Sequence, residues 1–337
     1  MSASSLRIET THFNVRFENN PKGFYHPNET IQALKLSVTG IAKCAWKKNK
    51  GKKYPIYQGK QIILDYETHF FGRQDGSHIE VSVGVHLYSF TCKIPANAVS
   101  SYDGTHGSVK YKITVVLDSP AMPDVVYEVP FHVLRIESLS ACPWLRRGIE
   151  VENEHQVGML CCETLPLLVT MRVECVGYAL GDTVNVNVTL CNQGPAKFKN
   201  SMISLDRVEI CNSETPEQCF IRTRKVVTFH QTRNVKEFES VSYDEMLLIP
   251  DDMPVSSERN CDVFQISYEI KFTSKSTKRS KIEAFLPITI AHIPFPPETA
   301  DSSSSSVDCD LQSSPVVDLP PLTRNKSEKI LNEIPAV

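Results

Sequence analysis

The strongest constraint on the fold of this chain is an apolar residue at every second position, repeated in segment after segment. Between residues 108 and 117, five apolar residues alternate with Lys110, Lys112 and Thr114, and the same pattern recurs at 13–17, 34–38, 79–87, 169–175, 184–190, 264–272 and 282–290. Successive side chains of a β-strand point to opposite faces, so this period predicts strands with one buried and one solvated face. The repetition predicts an all-β fold of antiparallel sheets packed in pairs.

The length of the chain predicts more than one domain. It has 337 residues, whereas one hydrophobic core usually serves about 100 to 200 residues. We place one β-sandwich at residues 8–137 and a second at 161–293. Residues 138–160 carry Pro143, several charges and no clear period, so we expect them to connect the domains. Residues 294–337 are rich in Pro and Ser, and we expect a disordered tail because they can bury little apolar surface.

Composition and charge exclude several classes of protein. The chain is 41% hydrophobic and 22% charged, as expected for a soluble globular protein, and its formal net charge is -3. That balance gives no global attraction to nucleic acid, so we predict no nucleic-acid partner. No apolar run is long enough for a membrane helix, and no export signal is recognised, so a cytoplasmic location is expected. The eleven cysteines are an odd number, and we expect free, mostly buried thiols.

Three segments carry a family resemblance. Residues 18–30 read ENNPKGFYHPNET, residues 102–111 read YDGTHGSVKY, and residues 177–182 read GYALGD. These segments resemble parts of alpha-arrestins, which are arrestin domain-containing proteins. Residues 18–30 resemble the first strand, the turn and the second strand of that family, and residues 102–111 resemble the loop and strand that close its first domain. Residues 177–182 resemble a turn into a strand of its second domain. The second segment is the most specific. Weaker matches extend the resemblance over most of residues 13–290.

The resemblance implies a more specific fold and a function. It implies two arrestin-type sandwiches in tandem, and a non-enzymatic adaptor that bridges membrane-protein cargo to endocytic, sorting or ubiquitination machinery. Such an adaptor would lie in the cytoplasm, peripherally at the plasma membrane or endosomes. The sequence departs from the family pattern at Asn28, where Gly is usual, and at Leu180 and Asp182, which replace Pro and Glu. Asn tolerates positive φ better than most residues, so the first turn can form.

No complete enzymatic constellation is found. The chain lacks a phosphate-binding loop, a nucleophile elbow, a zinc-protease motif and a Cys-x-x-Cys pair. Cys161 and Cys162 are adjacent and would point to opposite faces of a strand, and His106 near Ser108 lacks an identifiable third partner. We therefore predict no catalytic, cofactor-binding or metal-binding residues. Two alternatives stay open: a retromer-type cargo subunit with an arrestin fold, and an Ig-like two-domain binding protein.

Two clusters of basic residues are candidates for contact with an anionic partner. The first follows Trp46, and the second lies in a predicted hairpin of the second domain. The members are Lys47, Lys48, Lys50, Lys52 and Lys53 in the first cluster and Lys275, Lys278, Arg279 and Lys281 in the second. Each concentrates positive charge on a loop, where it can meet an anionic phospholipid or an acidic receptor tail. The alternative is a solvated hairpin tip with no partner. The first cluster resembles the arrestin finger loop in position.

The tail contains candidate regulatory sites. A serine run beside acidic residues and one Ser-Pro pair predict phosphorylation at Ser302, Ser303, Ser304, Ser305, Ser306 and Ser314. Many alpha-arrestins carry a Pro-Pro-x-Tyr motif that binds the WW domains of ubiquitin ligases. Here Thr299 and Thr323 stand where the Tyr would be. Without the aromatic anchor, we expect such ligases to bind only weakly or indirectly.

Overall fold

The computed structural model describes residues 8–9, 12–19, 30–31, 33–48, 51, 54–72, 79–80, 84–118, 124–156, 165–257, 259–277 and 281–296. In these ranges the regular secondary structure is almost entirely β-strand, and the predicted all-β class is confirmed. None of the helices in the described residues is long and apolar enough to cross a membrane.

Ten strands are described in the first half of the chain. They are β1 (Ile8–Glu9), β2 (His12–Asn19), β3 (Thr30–Ile31), β4 (Ala33–Lys47), β5 (Ile56–Phe71), β6 (Ile79–Glu80), β7 (Gly84–Phe90), β8 (Tyr102–Asp103), β9 (Gly107–Asp118) and β10 (Val125–Phe131). One sheet has the order β1-β2-β7, and a larger sheet has the order β10-β9-β4-β5 with β8 paired to β9. The rings of Phe70 on β5 and Tyr88 on β7 stack at 5.0 Å between centroids, so the two sheets pack face to face.

The alternation in the sequence is realised as alternating burial. On β4, Leu34, Leu36 and Val38 are buried, while Lys35 and Ser37 between them are partly exposed. On β9, alternate residues likewise face the core. Burying these apolar side chains contributes roughly 1.5 to 3 kcal/mol each to the free energy of folding. The period-two prediction is therefore confirmed where it was strongest.

The second half forms another pair of sheets. Its strands are β11 (Ile149–Gln156), β12 (Pro166–Val173), β13 (Gly177–Ala179), β14 (Thr183–Asn192), β15 (Phe198–Ser213), β16 (Cys219–Gln231), β17 (Ser240–Leu248), β18 (Phe264–Ser276) and β19 (Lys281–Ala291). One sheet has the order β11-β12-β14-β17, and the other has the order β13-β19-β18-β15-β16. The pairs are antiparallel except β13 with β19. Apolar residues of β12, β14, β18 and β19 form one buried core between the sheets.

The segment between the halves contains more regular structure than the sequence indicated. Two short 3-10 helices, Leu139–Ala141 and Pro143–Arg146, are followed by β11, which pairs with β12 as an edge strand of the second half. The sequence of this segment shows no clear apolar period. The reason is that Asn153 and His155 occupy positions of β11 on the same face as Ile149 and Val151, where apolar residues would have continued the alternation.

His292 ties the connecting segment to the end of β19. Its Nδ1 accepts a hydrogen bond from the backbone N–H of Glu137 at 3.1 Å. In return, the backbone N–H groups of His292 and Ile293 donate to the carbonyl oxygen of Glu137 at 3.0 and 3.1 Å. The Nδ1 atom can accept only while it is unprotonated. Burial lowers the pKa of His292, against the opposing effect of the Glu137 carboxylate.

This arrangement predicts a loss of stability in mild acid. Because the pKa of His292 is lower in the folded than in the unfolded chain, its contribution is complete above about pH 6.5 and is lost as the pH falls through the lowered value. The urea concentration at the unfolding midpoint should therefore decrease as the pH is lowered from about 8 to about 5.5. Burial also lowers the pKa of His155. The variant His292→Asn, whose Oδ1 can accept the same hydrogen bond, should show a smaller decrease in the urea midpoint than the parent chain, but still a decrease. An unchanged decrease would contradict the role of His292.

Candidate functional site at the junction of the two halves

Strand β5 of the first half pairs with the loop that follows β15 of the second half. The backbone N–H of Gln58 donates to the carbonyl oxygen of Thr215 at 2.9 Å. The N–H groups of Glu214 and Thr215 donate to the carbonyl oxygen of Gln58 at 3.0 and 3.1 Å. The edge strand of one half thus continues its hydrogen bonding into the other half. The two halves lie in one compact unit that ends at Pro296.

Two glycines allow the backbones of the two halves to approach closely. Gly59 on β5 and Gly107 on β9 lie opposite Cys44 of β4, one on each side. A Cβ atom on Gly59 would overlap the carbonyl oxygen of Asn212, and one on Gly107 would overlap the ring of Phe264. The absence of a side chain at both positions therefore gives β15 and β18 room to pack against the sheet of the first half.

A polar cluster is buried where the halves meet. The carboxylate of Glu209 on β15 accepts hydrogen bonds from Tyr102 Oη at 2.6 Å and from the backbone N–H of Thr105 at 3.2 Å. Its charge is balanced by Arg207, whose Nη2 lies 3.1 Å from Glu209 Oε1. The side chains of Arg207 and Glu209 are 15% and 6% exposed, so the pair is largely removed from water.

Tyr102 joins this polar cluster to the apolar core of the second half. Its ring stacks on Phe264 with 5.1 Å between centroids, and the guanidinium of Arg207 lies 5.6 Å from the ring centroid. Burial raises the pKa of Tyr102, and its hydrogen bond to the Glu209 carboxylate raises it further. The phenol therefore stays protonated and acts as a hydrogen-bond donor across the junction.

An open cleft of about 590 Å³ lies beside this cluster. Its walls come from both halves, and they include Lys43, Lys60, Asp103, His106 and Glu214. Lys43 and Lys60 are directly opposite each other on β4 and β5. Among the described residues, neither ammonium group forms an ion pair with a carboxylate, whereas Asp103 is paired with Lys110 at 3.0 Å. Like charges opposite each other in a sheet are unfavourable, so an anionic group bound here would relieve their repulsion.

The first basic cluster lies at the edge of the same junction. Its described members are Lys47, which ends β4, and Lys48; Lys50, Lys52 and Lys53 lie outside the described residues. Lys48 Nζ donates to Cys219 Sγ at 3.4 Å and lies 5.8 Å from the centroid of the Tyr57 ring. The hydroxyl of Tyr57 donates to Glu217 Oε1 at 2.8 Å. Lys48 therefore contacts the second half.

The second basic cluster is at the other end of β15. Lys275 pairs with Lys281 across the hairpin of β18 and β19, and also with Lys199 near the start of β15. The junction is formed by the opposite end of β15, roughly 40 Å away along the strand at about 3.3 Å per residue. Lys278 and Arg279 lie outside the described residues. The structure therefore does not bring the two clusters together.

Lys281 is partly neutralised by a neighbouring carboxylate. Its Nζ lies 2.7 Å from Glu283 Oε1, and Lys271 Nζ lies 3.0 Å from the same oxygen. Burial raises the pKa of Glu283, but hydrogen bonds from the two lysines outweigh that effect, and the net shift is downward. Glu283 thus remains charged at neutral pH and reduces the positive charge of the second cluster.

The tail and metal-binding groups add nothing to the site in the described part of the chain. The predicted phosphorylation sites, Ser302 to Ser306 and Ser314, lie outside the described residues. Within the described ranges, no group of three or more His, Cys, Asp or Glu side chains is arranged to hold a metal ion.

The sequence pointed to the junction residues of the first half but not to those of the second half. The segment 102–111, singled out by its resemblance, supplies Tyr102, Thr105 and Gly107 to the site. Arg207 and Glu209 were missed. Two charged residues within a long strand are usually read as part of its solvated face, and only the packing of the first half against β15 buries them.

Comparisons with known proteins cover most of the chain. Residues 13–140 match the family described as Arrestin (or S-antigen), N-terminal domain, and residues 164–295 match Arrestin (or S-antigen), C-terminal domain. The chain is similar to Arrestin domain-containing protein 17 of Caenorhabditis elegans, with 24% identity over 55% of this chain and 49% of the relative. It is also similar to Arrestin domain-containing protein 4 of Mus musculus and of Homo sapiens, each with 22% identity over 83% of this chain and 71% of the relative. This chain thus spans about half the length of the first relative. The matches favour the first interpretation of the sequence over the retromer-type and Ig-like alternatives.

Proposed function

This chain belongs to the arrestin domain-containing, or alpha-arrestin, family of adaptors, and from that premise we propose that it is a non-enzymatic adaptor bridging membrane-protein cargo to endocytic, sorting or ubiquitination machinery. We propose the cleft at the junction as the cargo site. The observation that carries this proposal is that the walls of the cleft come from both halves and include two opposed lysines without carboxylate partners among the described residues. The protein would act in the cytoplasm, at the plasma membrane or endosomes.

The chemistry of the cleft favours an acidic segment of cargo. An Asp or Glu side chain, or a phosphate, would accept charge-assisted hydrogen bonds from Lys43 and Lys60. His106 and the backbone of Gly104 and Gly107 also line the cleft. Because the glycines leave the backbone uncovered, an extended peptide can approach it closely. The cleft therefore suits a flexible cytoplasmic tail better than a preformed globular surface.

Proximity labelling in cells tests the cargo site. The double variant Lys43→Glu, Lys60→Glu should lose membrane proteins from the labelled set. The reason is that two lysines that attract an acidic cargo segment are replaced by two glutamates that repel it. The matched control is Lys225→Glu, Lys236→Glu, since both of these lysines are exposed and neither lines the cleft. An identical set of labelled membrane proteins from all three chains would show that cargo does not bind in the cleft.

A second prediction concerns the first basic cluster and anionic lipid. Reversing Lys47, Lys50, Lys52 and Lys53 to Glu should weaken binding to vesicles containing phosphatidylserine at least roughly tenfold, since each lysine near such a surface contributes about 1 kcal/mol. Lys48 is left in place because it contacts Cys219. The unfolding temperature should not change. Equal vesicle binding by the variant and the parent chain would contradict membrane contact through this cluster.

The same vesicle assay can compare the two clusters. A variant with Lys275, Lys278, Arg279 and Lys281 reversed alters charge at the far end of β15, so it serves as the comparison. If the first cluster faces the membrane, this second variant should bind nearly as well as the parent. If it loses binding instead, the membrane contacts the second cluster.

We predict that ubiquitin ligases do not bind the tail strongly through WW domains. The peptide around Pro296 and Pro297 has Thr299 in place of the aromatic residue, and loss of such an anchor costs about 2 kcal/mol or more. Titration of a WW domain with this peptide should show negligible binding, whereas the Thr299→Tyr peptide should bind. A micromolar dissociation constant for the unmodified peptide would overturn the prediction.

A further inference from the structure

A pair of isoleucines lies next to the lysine pair of the cleft, on the outer face of the sheet, which is turned away from the core of the first half. Ile41 on β4 is directly opposite Ile62 on β5. Ile41 stands two residues before Lys43, and Ile62 stands two residues after Lys60. Residues two apart on a strand share a face and lie about 7 Å from each other. Ile62 is 57% exposed, so the outer face presents an apolar pair beside a basic pair.

A β-bulge on β5 turns Ile62 to this outer face. Leu64 lies opposite Gly40, and Ile62 lies opposite the next residue of β4. Ile63 between them therefore has no partner on β4. In a regular strand Ile62 and Leu64 would share a face, but Leu64 is 6% exposed and lies in the core. The extra residue reverses the alternation and places Ile62 and Lys60 together on the outside, as bulges beside binding sites commonly do.

The edge of β5 is occupied at the level of the cleft. Gln58 exchanges backbone hydrogen bonds with Thr215 of the second half. The side chain of Gln61 donates to the carbonyl oxygen of Asn260 at 3.4 Å and accepts from the N–H of Asp262 at 2.8 Å. A peptide therefore cannot add to β5 as a further strand at this level. It has to lie on the outer face, where side chains provide the recognition.

We propose that the cleft selects cargo segments in which an acidic residue and a large apolar residue are separated by one residue; this inference rests on the proposed cargo function of the cleft. An extended peptide repeats every two residues, about 7 Å, as the strand beneath it does. Such a peptide can place its acidic group against the two lysines and its apolar side chain on the two isoleucines at the same time. Adjacent residues of an extended peptide point in opposite directions, so the two cannot be neighbours.

Asp65 limits the acidic content of such a segment. It is the next exposed residue of β5 beyond Ile62 on the outer face, where it lies opposite Thr39. It forms no ion pair with any residue that the structure describes. An acidic residue that follows the apolar residue toward Asp65 would meet a like charge, which disfavours it. An unbroken run of acidic residues should therefore bind less well than one acidic residue paired with one apolar residue.

Surface plasmon resonance with immobilised synthetic peptides tests the proposal. The full chain is passed over Gly-Ser peptides that contain one Glu and one Leu, either adjacent, separated by one residue or separated by two. The composition is the same at every spacing, so the comparison isolates geometry from charge and hydrophobicity. We expect the peptide with one intervening residue to bind at least roughly fivefold more tightly than the other two, because only there can Leu cover Ile62. Replacing its Leu by Ser or by Glu should cause a similar loss.

Ile62→Ser should abolish the preference for Leu over Ser in the peptide. Because Ile62 is exposed, the unfolding temperature should not change. Ile56→Ser is the matched control, since Ile56 lies on the same face of β5 and is 52% exposed but is opposite Lys47. This control should keep the preference. If Ile56→Ser loses it and Ile62→Ser keeps it, the apolar contact lies elsewhere and the proposal is wrong.

The outcomes separate this inference from the proposed function on which it rests. Equal binding of the Glu peptides at every spacing, lost in the double variant Lys43→Glu, Lys60→Glu, would overturn the inference and leave the acidic cargo site in place. Binding that survives the lysine reversal, or no binding of any peptide, would count against the cleft as the cargo site and would overturn the inference as well. The spacing comparison uses the parent chain, so it stands even if a variant fails to fold.

Discussion

Replacing Arg207 with methionine should lower the free energy of unfolding by about 3 kcal/mol. The change keeps much of the side-chain volume but removes the positive charge that lies 3.1 Å from Glu209. Glu209 is 4% exposed, so its carboxylate would be left charged and without a counter-ion in a site that excludes water. Its hydrogen bonds from Tyr102 and Thr105 remain, but they do not supply the missing charge. Urea denaturation of the parent and variant chains measures the difference.

Arg233→Met is the matched control for this prediction. Arg233 lies 3.7 Å from Glu239 with a side chain that is 58% exposed, and exposed pairs of this kind contribute at most about 1 kcal/mol. Similar losses in the two variants would contradict the role assigned to the buried pair. A double-mutant cycle with Tyr102→Phe and Glu209→Gln then measures coupling across the junction, because these two residues belong to different halves. We expect a coupling of about 1 kcal/mol.

Gly59→Ala should separate the two halves and destabilise the chain by about 1 to 3 kcal/mol. The new methyl group would overlap the backbone oxygen of Asn212, which cannot move without shifting β15. Loss of the close packing between β5 and β15 should expose the junction to protease and weaken the hydrogen bonding of Gln58 with Thr215. Limited proteolysis and urea denaturation measure both effects. Because β5 keeps its strand backbone, the cause would be steric.

The exposed neighbour Lys60 provides the comparison for Gly59. Lys60→Ala also introduces alanine into β5, but at an exposed position on the opposite face of the strand from Gly59. We expect a change in stability of less than about 0.5 kcal/mol and an unchanged proteolytic pattern. If Gly59→Ala behaves in the same way, then β15 does not approach β5 as closely as the structure indicates.

The strands were predictable because their pattern is local. In β9 and β18, apolar and polar residues alternate over most of the strand, and the buried face can be read directly from the order of residues. Strand β11 was missed because Asn153 and His155 break that pattern on its inner face. Which side chains of an edge strand are buried depends on the neighbouring segments as well as on its own sequence. The apolar pattern of such a strand is therefore weaker.

The junction was less predictable because its contacts join distant parts of the chain. Tyr102 and Glu209 are separated by 107 positions in the sequence, and Cys44 and Asn212 by 168. No periodicity within β15 indicates that Arg207 and Glu209 face another domain. Gly59 does not predict the junction either, because a glycine in a strand is compatible with a bulge, a bend or the close approach of another backbone. Only the family resemblance of residues 102–111 drew attention to this region.

The pairing of β5 with the loop after β15 also has a consequence for how the protein is made. Tyr57 and its partner Glu217 are 160 positions apart. At a translation rate of about 5 to 20 residues per second, the first half leaves the ribosome roughly 10 to 30 seconds before the segment that completes its edge. During this interval the edge of β5 and the surface around Gly59 and Gly107 are uncovered. The nascent first half is therefore the stage at which we expect chaperones to be needed, and slowing the synthesis of β15 should increase aggregation.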